Sequence, residues 1–311
     1  MGNRLILSQI FTMKKSFLLI AFCCLYTIGQ AQKEDKKLKA LIETAISGFQ
    51  GDIGIYIQHL KKNKYVAVNA DTIFPTASIV KVPILVGVFQ KIAQNELKLS
   101  QEYIYDAKRA YGGSGLMQFY KDSAKTDLST MISLMLTYSD NVTSIWLQEL
   151  AGGGATINAL MDKLNLPNTK VNSRTPGREA IWKVYGWGQT TPREMSKLFT
   201  LIRQGKVISP QYSDKMYRYL KNQYYNERSL SQFPPTVNTI SKTGSVNAAR
   251  GEVVLVNAPS GDFVFCILTK NNKDQSWTYD NEAETLTRKL AHIIWNHFEP
   301  KHAFTSYPRI E

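Results

Sequence analysis

The sequence predicts an α/β (α+β) fold: one antiparallel sheet flanked by helices, built from both ends of the chain, with an all-α lobe inserted between them. Three observations predict it. Strand-like apolar runs lie at residues 52–70 and again at 236–270. The stretch between them, from Ser78 to about Arg203, carries helical periodicity instead. The chain is also large enough, at 311 residues with 43% hydrophobic and 20% charged, to bury one or two substantial cores. Strands at both ends with helices between them are most simply closed as one sheet, leaving a cleft between lobes where a ligand fits. The expected boundaries are about 32–75 and 205–311 for the α/β lobe and about 76–204 for the all-α lobe, within a single domain spanning 32–311.

The chain opens with a leader. "MKKSFLLIAFCCLYTIGQAQ", from Met13 to Gln32, places two lysines before an apolar run from Phe17 to Ile28 and a small-residue site at Gly29-Gln30-Ala31. This reads as a secretory signal peptide covering residues 1–31, cut after Ala31, with Met13 an alternative start. The run is shorter than the roughly 20 residues a spanning helix needs, so no stable membrane span is expected after cleavage and the protein is secreted or periplasmic. Cys23 and Cys24 leave with the leader, and Cys266 in "FVFCIL" remains as a small core residue. One thiol builds neither a disulfide nor a cysteine metal site. Losing Arg4, Lys14 and Lys15 takes the formal net charge from +13 to +10. The lysines are scattered and no nucleic-acid motif accompanies them, so nucleic acid is not an expected partner.

The mature chain then reads element by element. "KKLKALIETAISGF" has apolar residues at 38, 41, 42, 46 and 49, a helical stripe that Gly51 stops. "DIGIYIQHL" and "KYVAVNA" are strands joined as a hairpin through Lys61 to Asn63. Helices are predicted at 79–93, 127–138, 141–150, 155–165 and 192–203. "TVNTISKTGSV", "GEVVLVNA" and "DFVFCILTK" follow as strands, the last two around the turn "PSG", and a long helix runs from about Asn281 to Phe298. The segment from Asn168 to Pro192, "NTKVNSRTPGREAIWKVYGWGQTTP", has no clean periodicity. So long a loop inside a compact domain is commonly functional or a closed excursion. Trp182, Tyr185 and Trp187 are expected to form a small core of its own, with ligand contact as the other reading.

The chemistry begins at "PTASIVKVPIL". Ser78 precedes Lys81 by three residues at the opening of a helix, so both share one face. A hydroxyl is a poor nucleophile until a base takes its proton, and the usual base is histidine. The four histidines are His59, His292, His297 and His302, none within fifteen residues of Ser78. A lysine held out of water near other cations loses its proton readily and serves instead. A serine helix cap followed by a solvated lysine is the plainer alternative. Two further motifs follow in order: Ser139-Asp140-Asn141 in "TYSDNVTS", and Lys242-Thr243-Gly244 in "SKTGSV".

Ser-x-x-Lys, then Ser-Asp-Asn, then Lys-Thr-Gly, each in its structural context, resembles the class A β-lactamases and the related penicillin-binding enzymes. The resemblance extends along the whole mature chain, including "GGSG" at 112–115 and "TTP" at 190–192. It implies that Ser78 is the nucleophile and Lys81 its proton acceptor. Ser139 would relay a proton to the leaving nitrogen, beside Lys242. Backbone N–H groups of Ser78 and Ser245 would form the oxyanion hole. Asn141 would hold the substrate's amide side chain, and Asp140 would tie two helices together. Thr243 and Ser245 would bind the substrate carboxylate with the help of Arg250 in "ARGEVV", though Arg250 also reads as a surface strand residue.

The resemblance breaks on the long loop. The family activates its deacylating water with a glutamate in an Arg-x-Glu-x-x-Leu-Asn pattern, whereas this loop reads "SRTPGREAIW". If Arg174 is the family's arginine, Pro176 fills the glutamate slot. Glu179 is the only carboxylate between Asp162 and Glu194, so it is the local candidate for that base, or else a staple to Arg178, Arg174 or Lys183. The expected function is an exported serine β-lactamase acting through an acyl-enzyme on Ser78. The alternatives are a D-alanyl-D-alanine peptidase or acyl transferase, and a binder of lactams or wall fragments without turnover. The expected partner is a β-lactam or a peptidoglycan stem peptide bound by a monomer, with no metal and no cofactor.

Overall fold

The computed structural model describes residues 32–306, so the leader expected at 1–31 lies outside the described residues. The first helix, α1 (Lys36–Ile46), is capped by Asp35, whose side chain accepts from the Leu38 N–H, and it buries Leu38, Ile42 and Ala45. The hairpin β1 (Asp52–His59) and β2 (Lys64–Val68) follows as predicted. After the two-residue strand β3 (Phe74–Pro75), a single 3-10 turn over Ala77–Val80 carries Ser78 into α2 (Lys81–Ala93). The predicted helix over 79–93 therefore begins as a tighter turn. Pro83 sits near its start, where a missing N–H costs little.

The helical insert continues with α3 (Leu128–Thr137), α4 (Asn141–Leu150) and α5 (Gly153–Lys163). The irregular segment that follows is less open than its sequence implies. It holds β4 (Lys170–Val171), the short helix α6 (Glu179–Tyr185) and β5 (Gly188–Thr190), and β5 pairs with both β4 and β3. Gly188 allows this closeness, because a Cβ there would stand 2.6 Å from Val80 Cγ2 and 2.7 Å from Thr76 Oγ1. The loop is thereby stapled directly to the residues preceding Ser78.

Two helices come next, α7 (Pro192–Arg203) and α8 (Pro210–Tyr219). The second was not predicted, although Ser209 capping the Tyr212 N–H and Pro210 in the first turn are a legible start signal. The chain closes with β6 (Thr239–Val246), β7 (Ala249–Val256), β8 (Phe263–Lys270) and α9 (Glu282–Phe298). The five long strands lie in the order β2-β1-β8-β7-β6, every neighbouring pair antiparallel.

Period-2 alternation explains why the closing strands read as continuous apolar runs. Val253, Leu255, Val264, Cys266 and Leu268 join the core shared with the helical insert. Their neighbours Val254, Val256, Phe263, Phe265 and Ile267 join a second core beneath α1 and α9, with Leu290, Ile294 and Trp295. Both faces are covered, so β7 is buried along its whole length. Cys266 is a free, fully buried thiol. Among the described residues no helix is long and apolar enough to cross a membrane.

Candidate active site

The site is assembled from the start of α2, the junction of α3 and α4, and strand β6. Ala77, immediately before Ser78, has φ +43°, and Ser139 has φ +53°, left-handed values that non-glycine residues seldom adopt. Such strain persists only where surrounding contacts over-determine it. At Ser139 the contacts are evident. Its Oγ lies 3.0 Å from Lys81 Nζ and 3.2 Å from Lys242 Nζ, one hydroxyl between two buried amines.

Lys81 is fully buried. Its Nζ reaches Ser78 Oγ at 3.0 Å, Asn141 Oδ1 at 3.0 Å and the Ser139 carbonyl at 2.5 Å as well as Ser139 Oγ. Every one of these partners is an uncharged oxygen. Burial, and then the Lys242 charge, hold Lys81 well below the usual lysine range, with Asp140 opposing. Lys242 is also fully buried, donating to Ser139 Oγ and to the Thr243 carbonyl at 3.0 Å. Burial, followed by the charge of Arg228, brings it down to about 7, against a pull upward from Glu252.

A lysine whose pKa is lowered on folding binds fewer protons in the folded than in the unfolded state between those two values. Stability therefore rises with pH across that window, and the penalty is fully present below the folded pKa. For Lys242 the window runs from about 7 to 10.5. We expect wild type to gain about 3 kcal/mol of stability relative to Lys242→Met between pH 6 and pH 9. Denaturant unfolding of both proteins at the two pH values checks this, and an unchanged gap refutes it.

Asp140 holds the junction. One carboxylate oxygen caps α4 by accepting from the Thr143 N–H at 2.9 Å. The other accepts from the N–H groups of Leu116 and Met117 at 2.6 and 2.7 Å, drawing the 112–117 loop against the site. Gly115, with φ +110°, is required there, because a Cβ would stand 2.3 Å from Asp140 Oδ2. Asn141 extends the same tie, donating from Nδ2 to the Gly112 carbonyl at 3.0 Å. Across the cleft, Gly244 lets β6 run against the first turn of the serine segment. A Cβ at Gly244 would lie 2.3 Å from the Thr76 carbonyl oxygen and 3.0 Å from the Ser78 nitrogen.

Two cavities meet at Ser78. One, of about 590 Å³, is lined by Ser78, Asn141, Tyr185, Trp187, Ser245 and Trp277 among others. The second, of about 670 Å³, is lined by Ser78, Ser139, Arg228, Thr243, Ser245, Trp277 and Glu284 among others. A serine beside a buried, carboxylate-free lysine at the meeting point of two cavities can attack a carbonyl bound across them.

A model of the β-lactamase enzyme family matches residues 35–298. The chain belongs to that family. It is 20% identical over 296 residues to β-lactamase VEB-1 of Pseudomonas aeruginosa, covering 91% of this chain and 98% of that one. It is 25% identical over 245 residues to an imipenem-hydrolyzing β-lactamase of Enterobacter cloacae, covering 76% and 81%. Among solved structures, PBP-A superposes with a TM-score of 0.75 at 23% identity, covering 87% of this chain and 98% of that chain. TLA-1 extended spectrum β-lactamase gives 0.75 at 18% identity, covering 84% and 98%. The mixed fold with its antiparallel sheet is shared with these neighbours.

Three expectations within this β-lactamase-family site are corrected by the structure. Glu179 is exposed, its carboxylate accepts from the Gly177 N–H at 3.1 Å, and it lines neither cavity. It is the first residue of α6. Among the described residues it forms no ion pair with Arg174, Arg178 or Lys183, and Arg178 instead bonds Asn172 Oδ1 and Gln189 Oε1 at 2.7 and 2.9 Å.

Arg250 is buried, and its guanidinium is consumed by the Val246, Asn247, Ala249 and Ser276 carbonyls and by Glu284. No fork is left for a ligand. Arg228 is the arginine that reaches Ser245, donating to Ser245 Oγ and to Glu284 Oε1, both at 2.6 Å, and to the Gly251 carbonyl at 3.2 Å. Only its tertiary position marks it, because "NERSL" carries no motif.

The loop aromatics do not form a core of their own. Trp182 is exposed, while Tyr185 and Trp187 line the cavity beside Ser78. Trp187 packs edge-on to Tyr111 at 5.5 Å, and its ring is 6.0 Å from Lys81 Nζ.

Proposed function

We propose that this β-lactamase-family chain is an exported serine hydrolase of class A type that opens β-lactam rings through an acyl-enzyme on Ser78. The observation that carries it is Lys81 Nζ, buried with only uncharged partners and 3.0 Å from Ser78 Oγ. A neutral amine there accepts the hydroxyl proton as Oγ attacks the lactam carbonyl. The backbone N–H groups of Ser78 and Ser245 receive the developing oxyanion. Ser139 passes the proton to the leaving nitrogen, and Lys242 tunes that relay. Asn141 orients the acyl amide. Thr243 and Ser245 hold the substrate carboxylate, with Arg228 supplying the cation that the sequence assigns to Arg250.

A second reading is favoured by one observation: among the described residues the cavity on the loop side of Ser78 has no carboxylate in its lining. Without a carboxylate to activate water, a lactam adduct would persist. The same machinery would then be a penicillin-binding-type peptidase or acyl transferase acting on peptidoglycan stem peptides.

Turnover of a chromogenic cephalosporin, followed alongside the intact mass of the protein, separates the readings. The lactamase turns over with no lasting adduct, whereas the peptidase-type enzyme accumulates a stable adduct with negligible turnover. Ser78→Ala is expected to abolish both signals, and retention of either rules out the serine mechanism in both forms.

A further inference from the structure

The two cavities that meet at Ser78 differ in chemistry. The one reaching Arg228 is also lined by Thr243, Ser245 and two carboxylates, Glu227 and Glu284. The one reaching the long loop has a single charged lining residue, Lys270, and no carboxylate. Lys270 is already committed, donating to the Ile73 carbonyl at 3.0 Å and lying 5.0 Å from the Phe74 ring centre. The remaining wall includes Val184, Tyr185, Trp187, Val246 and Trp277.

Both tryptophans are held by neighbours. Trp187 is fixed edge-on by Tyr111 at 5.5 Å. Trp277 stacks on the Arg250 guanidinium at 4.5 Å, and that guanidinium is itself fixed by four carbonyls and Glu284. Yet Trp277 keeps 66% of its surface exposed. It lines both cavities, so it stands where the two meet. A large aromatic that is anchored but left open to a cavity contributes little to the core and much to whatever enters.

We infer that the loop-side arm selects the acyl part of the substrate, taking neutral aromatic acyl side chains and discriminating against charged ones, with Trp187 and Trp277 as the specificity-determining residues. The inference rests on the reading that Ser78 is acylated. If the carboxylate end of the substrate lies toward Arg228, the acyl end extends into the loop-side arm. A cationic group there would lose water and find no opposite charge, and an anionic one would meet only Lys270, already engaged by the Ile73 carbonyl and the Phe74 ring. A flat ring would instead exchange water for two fixed aromatic walls.

The test is the rate of Ser78 acylation, read as adduct by intact mass together with hydrolysed penicillin released, with two penicillins differing only in side chain. One carries a phenylacetyl group and the other a charged α-aminoadipoyl group. Wild type should prefer the first by about tenfold or more, the scale on which pocket contacts discriminate. Trp187→Ala and Trp277→Ala should each bring the ratio down to about twofold, and Trp187→Phe should keep most of it. Thermal unfolding of each variant guards against a merely damaged loop. Equal rates in wild type, or a preference unchanged in both alanine variants, overturns the inference. Absence of both adduct and hydrolysed product with either penicillin overturns it too, and differs visibly because the acylation reading has then failed with it.

Discussion

Replacing Lys81 by Met is expected to slow acylation of Ser78 by a factor on the order of 10²–10⁴, the range that a positioned general base supplies. The substitution keeps length and apolar stem but removes the only nitrogen within hydrogen-bond reach of Ser78 Oγ among the contacts described, at 3.0 Å. No histidine can substitute, since His59 packs against Phe298 and bonds Ser260 at 3.1 Å, while His297 bonds Asp35 at 3.0 Å. His292 bonds Asn296 at 2.9 Å, and His302 lies in the turn after α9 with its carbonyl accepting from Trp295. Residual acylation should also lose the pH dependence that a lysine held below its ordinary range confers on wild type. Time-resolved intact mass at several pH values measures both effects. Acylation within tenfold of wild type would mean that the proton leaves by another route.

Gly244→Ala carries the second large effect. The added Cβ would sit 2.3 Å from the Thr76 carbonyl oxygen, 3.0 Å from Ser78 N and 3.1 Å from Ile79 N. All three are backbone atoms, so no flexible side chain can give way and β6 must retreat from the serine turn. The proposed oxyanion donors of Ser78 and Ser245 belong to those two segments. Losing their alignment is expected to lower acylation by about 10²–10³. Crowding at a packed contact costs about 1–3 kcal/mol, which would lower the melting temperature by roughly 2–10 °C. Gly112→Ala is the control, because a Cβ there meets nothing within 4 Å and should leave both quantities near wild type.

The parts of this site that the sequence discloses are those set by short-range geometry. Ser78 and Lys81 meet because three residues bring a side chain round to the same face of a turn. Ser139, Asp140 and Asn141 mark a helix start, since an aspartate before a helix caps it. The β7 and β8 strands are evident because a sheet covered on both faces leaves no polar alternation. These rules need only neighbours in the chain and place the elements and motifs, while the proposed role of Ser78 and Lys81 is what the resemblance of the three ordered motifs implies.

What the sequence leaves open depends on where distant segments come to rest. Arg250 and Arg228 are both arginines near Lys-Thr-Gly, and register places Arg250 directly opposite Ser245. Yet the Arg250 guanidinium is drawn onto the carbonyls of its own turn and of Ser276, while Arg228 reaches Ser245 Oγ from a segment 17 residues earlier. The long loop shows the same limit. Pairing of β5 with β3 and β4 decides that Trp187 faces the cavity, and the start of α6 decides that Glu179 faces solvent. A one-residue change in such pairing reverses which side chains face the site, and nothing local encodes it. Sequence alone therefore disclosed the order of strands and helices through local periodicity, and singled out the Ser78–Lys81 pair through its place in three ordered motifs that resemble the class A β-lactamases. Tertiary structure decided which arginine reaches Ser245 and which loop residues line the cavity at Ser78, because those depend on how remote strands and turns pack together.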